Sequence, residues 1–472
     1  MFFKAITINK DFYSTFCKLL FLFLLTRLFI FSLGIFPDSH MLSGMWQILS
    51  LELLEKNLFK SLYYLHYQPP LWNFFIGLFV KATGPDYNLI SICIYFLHMF
   101  LSVLNIFVFL KICNFFSLSK IKIYICFFIF IIFSTSYIFY ENYGHYTHFT
   151  TSIYLLLIIN FLNFAKTENF FYEFFIYLCA LLLVYTWSAF SHPFFIILIF
   201  GTIVLIKYKK NIKRSFLIFL VAIIISSLPS LKNKIEVNFA GNSSWIGFQV
   251  IQVLKEWGIN GGACNMDIHN NAQIYQKKYI DNNRNFVNDH PSLIGPLSKW
   301  NNVGMIYRTK ICLKDGMGIV LKNPAKYLNI VKFNFISTHG HYSFDHGFKP
   351  KNWNKFFGFL DLIKINKFTN FLKVRSLQLY YLIFYIFFIS YLTLSIFYIK
   401  KDHLKIEKAI SSLFLIWLWM IILTHMFAGF EHERMRHVGH FLHGIFFIIL
   451  IKNNFNIKKF FSEFSSPKRN VF

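Results

Sequence analysis

The sequence predicts an all-α, polytopic integral membrane protein carrying one sizeable region outside the bilayer. Of its 472 residues, 56% are hydrophobic and only 14% are charged, against about 25% charged in an ordinary soluble domain. Apolar runs of about 17–25 residues, the length a helix needs to cross the hydrocarbon core, recur in both halves of the chain. Mean hydropathy is nevertheless only +0.50, so a polar region must dilute the spans, and residues 231–375 supply it. The same balance excludes a disordered chain and a single soluble globule. Lysine, asparagine, isoleucine and phenylalanine are overused together, as a coding bias would produce, so the 64 phenylalanines say little beyond an apolar setting.

Taken in order, the apolar runs fall at 12–36, 88–112, 121–139, 149–165, 170–187, 192–207, 214–230, 376–399, 409–428 and 438–451. Ten transmembrane helices follow. The first run is long and lacks a small-residue cleavage site, so it is expected to act as an uncleaved anchor. Residues 69–83 form a shorter apolar stretch with Lys81 near its end. Positive residues in short loops stay cytoplasmic. The basic loops Lys207–Arg214, Lys400–Lys408 and Lys452–Lys459, the residues Lys111, Lys120 and Lys122, and the N-terminal Lys4 and Lys10 share one side only if 69–83 does not cross. That stretch is therefore read as interfacial or half-inserted, with both termini cytoplasmic. Residues 42–65 have helical apolar spacing and few charges, as in a helix lying on the membrane surface. The expected organisation is a transmembrane module over 1–230 that includes the first outer loop, an extracytoplasmic mixed domain over 231–375, and C-terminal transmembrane helices with a cytoplasmic tail over 376–472. The seven cysteines show no CxxC pair. Five lie in or beside apolar runs, whereas Cys264 and Cys312 lie in the polar region, where they either pair in an oxidising compartment or stay free.

The outer segments gather ionisable side chains. Asp38, His40, Glu52, Glu55, His66 and Gln68 stand in the first outer loop. Tyr140, Glu141, Asn142, Tyr143, His145 and His148 stand in the second, and Glu431, His432, Glu433, Arg434, Arg436, His437 and His440 stand before the last span. The short cytoplasmic loops carry chiefly lysine. Carboxylates and cations converging on one face define a candidate site. Arg27 lies within the first span, roughly 16 Å below Asp38 if the helix were continuous. An intramembrane arginine is a functional candidate by default, with snorkelling or backbone pairing as the alternative.

The ordered set Asp38, HYQPPLWNFFIGLFVKATG (66–84), YENYG (140–144), SSWIG (243–247) and GFEHERMR (429–436) resembles the polyprenyl-phosphate-sugar-dependent membrane glycosyltransferases of the GT-C superfamily, in the branch of the protein mannosyltransferases and lipopolysaccharide sugar transferases. The motifs total 38 of the 472 residues and stand in the family's order. Two departures stand out: Ser39 follows Asp38 where many members have a second acidic residue, and Gln68 precedes the proline pair. The resemblance implies a GT-C-like fold in a bacterial inner membrane, with the site on the periplasmic face. It also implies inversion at the anomeric carbon during transfer from a polyprenyl-phosphate sugar to a hydroxyl of a glycan, lipid or protein.

Under that reading Asp38 takes the acceptor proton and Glu141 supplies the second carboxylate. Arg434 and Arg436 meet the charge developing on the lipid phosphate, with Arg27 and His66 as further candidates. Asn142, Tyr143 and Glu431 line the acceptor side. No resident cofactor or metal is expected. His339, His341, Asp345 and His346 are zinc-compatible residue types without the spacing of a known closed site. Asn242–Ser244 fits a glycosylation triplet. The net charge of +26 accompanies no nucleic-acid motif, so anionic lipid and phosphate-bearing donors are the expected partners. The alternative is a lipid or glycolipid transporter or flippase, which would show broken helices and ionisable residues at mid-membrane.

Overall fold

The computed structural model describes residues 10–37, 39, 42, 47–132, 134–206, 209–244, 267–282, 301–330 and 438. The described residues are helical and contain no strand. Four helices are long and apolar enough to cross a membrane: α1 (Lys10–Ser32), α4 (Tyr87–Phe115), α7 (Tyr146–Thr167) and α10 (Lys209–Val237). Between them lie α2 (Leu51–Tyr63), α3 (Leu71–Thr83), α5 (Lys120–Phe127), α6 (Thr135–Asn142), α8 (Phe170–Thr186) and α9 (His192–Leu205). Helices α11 (Asp267–Asn282) and α12 (Val303–Lys322) belong to the polar region and pack on each other. The described parts of that expected mixed domain are thus helical, and the last three expected spans, Val438 apart, lie outside the described residues.

Helix α7 is the central post. It packs along α8 and α4 and touches α6 and α9, and 83% of its most apolar stretch is buried, against 28% for α1 and 17% for α10. One face of α4 carries Ser91, His98, Ser102 and Asn105, all buried, and its His98 and Ser102 meet His148 on α7. Small and polar residues allow close helix approach where lipid supplies no hydrophobic drive.

Helix α3 begins where the proline pair ends. Pro70 holds helical φ/ψ and its carbonyl accepts from Phe74 N at 2.9 Å, because proline suits a first turn, where its missing N–H has no partner to lose. Gly84 closes the helix at φ +76, a left-handed conformation that favours glycine. Asp86 then caps α4 by accepting from Asn88 N and Leu89 N at 2.8 and 3.2 Å. With 13 residues, α3 is about 20 Å long, too short for a core of about 30 Å. Helix α2 buries Leu51, Leu54, Leu58 and Ser61 at helical spacing and kinks at Asn57; it packs on α3.

Three elements differ from expectation. The run 121–139 is not one helix: α5 passes into a π-helical turn at Phe128–Ile132, and α6 restarts after Ser134, whose side chain accepts from Tyr137 N. Helix α1 ends at Ser32, with Gly34 at φ +79 closing it, so Arg27 lies about 7.5 Å from the helix end rather than on a helix reaching Asp38. Helix α10 runs on through Pro229 to Val237. A proline leaves the carbonyl four residues earlier without its helical donor. Here the Tyr185 hydroxyl donates to that carbonyl, Ile225 O, at 2.9 Å.

Candidate functional site

Two buried polar clusters flank α3. The first joins α1, α4, α6 and α7. Arg27 approaches Glu141 with Nη2 at 2.6 Å from Oε2, and Nε donates to the same oxygen at 2.8 Å. Both side chains are buried, at 4% and 0% exposure. The guanidinium lies 4.3 Å from the Phe23 ring centre and 5.8 Å from that of Tyr137. The break after the π-helical turn aims α6 so that Glu141, on its last turn, reaches α1.

His98 Nδ1 lies 3.1 Å from Glu141 O. A carbonyl only accepts, so Nδ1 carries the proton and Nε2 keeps its lone pair. The His98 ring stacks on Trp72, 5.8 Å away at 16°, and lies 5.2 Å from the ring of His148, which shares a 3.0 Å hydrogen bond with Ser102. Asn105 Nδ2 donates to the Tyr137 hydroxyl at 3.1 Å. Arg27 Nη1, Glu141 Oε1, His98 Nε2 and Trp72 Nε1 are buried without a hydrogen-bond partner among the described residues. Protonating Glu141 would leave the Arg27 charge uncompensated in a buried setting. Burial works the other way and prevails, raising the Glu141 carboxyl above its usual range, so Glu141 can both position its neighbours and take a proton.

Next to this cluster, the segment after α6 is tied to the one before α2. His145 Nε2 meets Gln47 Oε1 at 2.6 Å, and its Nδ1 meets Thr147 Oγ1 at 2.7 Å. Asn73 on α3 donates to Gln47 O and accepts from Leu49 N, at 3.1 and 2.8 Å. Asn142 turns back on its own helix, donating to Ile138 O at 2.9 Å. Tyr143 is buried and stacks on Phe139, 4.8 Å away at 29°.

The second cluster clasps the turn between α2 and α3. Four successive carbonyls are accounted for, as buried backbone requires: Tyr64 O accepts from Asn301 Nδ2 at 3.4 Å, Leu65 O from Lys232 Nζ at 2.6 Å, His66 O from Ser244 N at 3.0 Å and Tyr67 O from Ser243 Oγ at 2.5 Å. Asn301 Oδ1 takes the His66 N–H at 3.0 Å, His66 Nδ1 meets Ser244 Oγ at 2.9 Å, and Thr309 donates to Ser244 O. His66 is fully buried. Burial, and secondarily the Lys232 ammonium, lowers its imidazole to about 3. It is therefore neutral at pH 7 and can meet a phosphate only as a hydrogen-bond donor, through Nε2. On the rim, Tyr63 donates to Glu236 Oε1 at 2.6 Å, and that bond raises the phenol to about 12.

The structure thus brings Arg27 to Glu141 and His66 to Ser244. Asp38, Glu431, Arg434 and Arg436 lie outside the described residues, as do His339, His341, Asp345 and His346. Among the described residues no group of three or more metal-binding side chains gathers. Gln47, Asn73, His98 and Ser102 had no expected role. The signal for the α4 pair was their spacing with Ser91 and Asn105 along one face of an otherwise apolar helix. No protein-family model, curated protein or solved structure matches the chain.

Proposed function

We propose that the chain is an inverting membrane glycosyltransferase, moving a sugar from a polyprenyl-phosphate donor to a hydroxyl on the outer face of the membrane. The observation that carries the reading is the joint between HYQPP and SSWIG. These family-like stretches are bonded to each other at His66–Ser244, 178 residues apart. Glu141, from the third such stretch, sits in the neighbouring cluster with Arg27.

In the proposed reaction the acceptor oxygen forms a bond to the anomeric carbon as the bond from that carbon to the phosphate oxygen breaks. The acceptor proton passes to Asp38, and the polyprenyl phosphate leaves with its charge met by Arg434 and Arg436. Glu141 and Arg27 hold the wall of the acceptor side with Asn142, Tyr143 and Glu431. His66 offers a neutral hydrogen bond near the donor. An outward-facing site is supported by Cys312, which is disulfide-bonded, as an oxidising compartment would allow. Glycan, lipid and protein hydroxyls are the acceptor classes.

The test is Asp38→Asn, which keeps shape and removes the proton acceptor. Turnover of a polyprenyl-phosphate sugar by the inserted protein should fall by about 10²–10⁴-fold, with donor binding retained. Near-normal turnover overturns the assignment.

A second reading, a lipid transporter, is favoured by one specific observation: the helix broken between Phe128 and Ser134 beside a buried ion pair, a combination that transport sites also use. Proteoliposomes separate the two. Transbilayer movement of a labelled lipid without any sugar transfer would support the transporter.

A further inference from the structure

A groove of about 640 Å³ opens between the end of α2, the 65–70 turn, the start of α3 and the C-terminal ends of α8 and α10. Its wall is apolar, formed by Phe59, Leu71, Phe74, Leu182, Tyr185 and Leu228. Its mouth faces outward: Phe59 is 77% exposed, and Leu228 continues the stripe of exposed apolar residues that includes Leu217, Leu220, Val221 and Ile224 on α10. Such a stripe on a membrane-crossing helix meets lipid tails, so the groove is open to the bilayer.

Its polar end is different in kind. Lys232 lines it, and the ammonium has three donors, of which one is committed to Leu65 O. Asn233 also lines it. Asn233 Nδ2 donates to Gly241 O at 2.7 Å, which fixes the amide orientation and leaves Oδ1 as the acceptor. That oxygen is buried and has no partner among the described residues, and the same holds for Gln68 Oε1. A cation with spare donors beside two buried acceptors lacking donors calls for a head group that is anionic and also carries hydroxyls. A choline head has no donor to give, and its cation would be repelled by Lys232.

We infer that this groove is a binding site for an anionic glycerophospholipid with a hydroxyl-bearing head, of the phosphatidylglycerol type, whose phosphate meets Lys232 and whose hydroxyls meet Gln68 and Asn233. An acyl chain fills the apolar wall. Bilayer phospholipid is the occupant in greatest supply at an open groove, and a basic chain recruits the anionic kind. Because Lys232 also holds Leu65 O, the bound lipid braces the turn that carries His66. The site goes beyond the transferase reading and stands whether or not the chain transfers a sugar.

The experiment uses the full chain, delipidated in detergent and titrated with equimolar phosphatidylglycerol, phosphatidylcholine and a polyprenyl-phosphate sugar. Bound lipid is counted by native mass spectrometry. Phosphatidylglycerol should be retained about tenfold or more over phosphatidylcholine, as a charge-assisted contact allows. Lys232→Gln keeps a donor for Leu65 O and should erase the preference, while Lys232→Arg should keep it. Equal retention of the two phospholipids, an unchanged preference in folded Lys232→Gln, or displacement by the polyprenyl lipid at equal concentration would each overturn the inference. These readouts involve no turnover, so the inference can fail while the Asp38→Asn test succeeds, and the reverse.

Discussion

Arg27 and Glu141 carry opposite charges out of water together, and desolvation decides what that pair is worth. Removing one partner leaves the other uncompensated. Arg27→Met or Glu141→Leu alone should therefore destabilise the protein by about 3–5 kcal/mol, while Arg27→Met combined with Glu141→Leu should recover most of the loss. Denaturation in detergent of the two single variants and the double variant checks this; additive losses would mean that the residues do not act as a pair. His66 gives a pH signature. Its imidazole is held at about 3 in the fold, against about 6.5 for the free side chain. The unfolded chain thus takes up a proton first as pH falls. The neutral imidazole costs no stability above pH 6.5, and stability drains away from there down towards pH 3. Melting temperature followed from pH 8 to 4 should fall more steeply in the wild type than in His66→Gln. Parallel curves would show that His66 does not carry the effect.

At the scale of elements, Pro229 and Tyr185 form a matched pair. Tyr185→Phe removes the hydroxyl that serves the half-buried Ile225 O and should cost about 1 kcal/mol, the net worth of one hydrogen bond. In a Pro229→Ala background the residue at 229 regains its N–H, so the same change should cost much less. Thermal stability of the four combinations tests the coupling. What was legible here followed apolar length. The runs at 12–36, 88–112, 149–165 and 214–230 are visible as α1, α4, α7 and α10 because a long apolar stretch has few other ways to fold in a bilayer. The break in 121–139 was not legible, since the stretch FIFIIFST contains neither glycine nor proline and its interruption is set by packing. Nor was the extension of α10 beyond 230. Its polar tail reads as a loop, yet it stays helical while Lys232 serves the α2–α3 turn, a case of tertiary contacts overriding local pattern.

For the whole molecule, the arrangement requires the α2–α3 turn and helices α11 and α12 to lie on one side of the membrane, because Asn301 and Thr309 bond to residues around His66 and Ser244. In a background without native cysteines, Lys60→Cys and Lys278→Cys should both react with an impermeant thiol reagent added outside. Lys120→Cys, at the opposite end of α4, should react only after permeabilisation. Labelling of Lys60→Cys without Lys278→Cys would break the arrangement. The candidate site was legible in part. Glu141, Arg27 and His66 were visible as ionisable residues in or beside apolar runs, but their partners were not, because the Arg27–Glu141 contact closes over 114 residues and no local pattern encodes it.

The central helix also constrains how the chain is made. Of the four described helices long and apolar enough to cross a membrane, α7 has the lowest hydropathy, 1.4, and buries most of itself, hiding Thr147, His148, Thr150, Thr151 and Ser152 inside the bundle. A nascent chain that has emerged only as far as α7 must present those hydroxyl and imidazole groups to acyl tails, and lone polar helices are poor clients for lateral release from the insertion machinery. Helices α4 and α8 pack along it, and α8 is synthesised afterwards. Biogenesis should therefore include a waiting step, with α7 leaving the insertion channel together with α8 as a hairpin; a chain truncated between the two should remain crosslinked to the channel, and prompt release of α7 alone would contradict this.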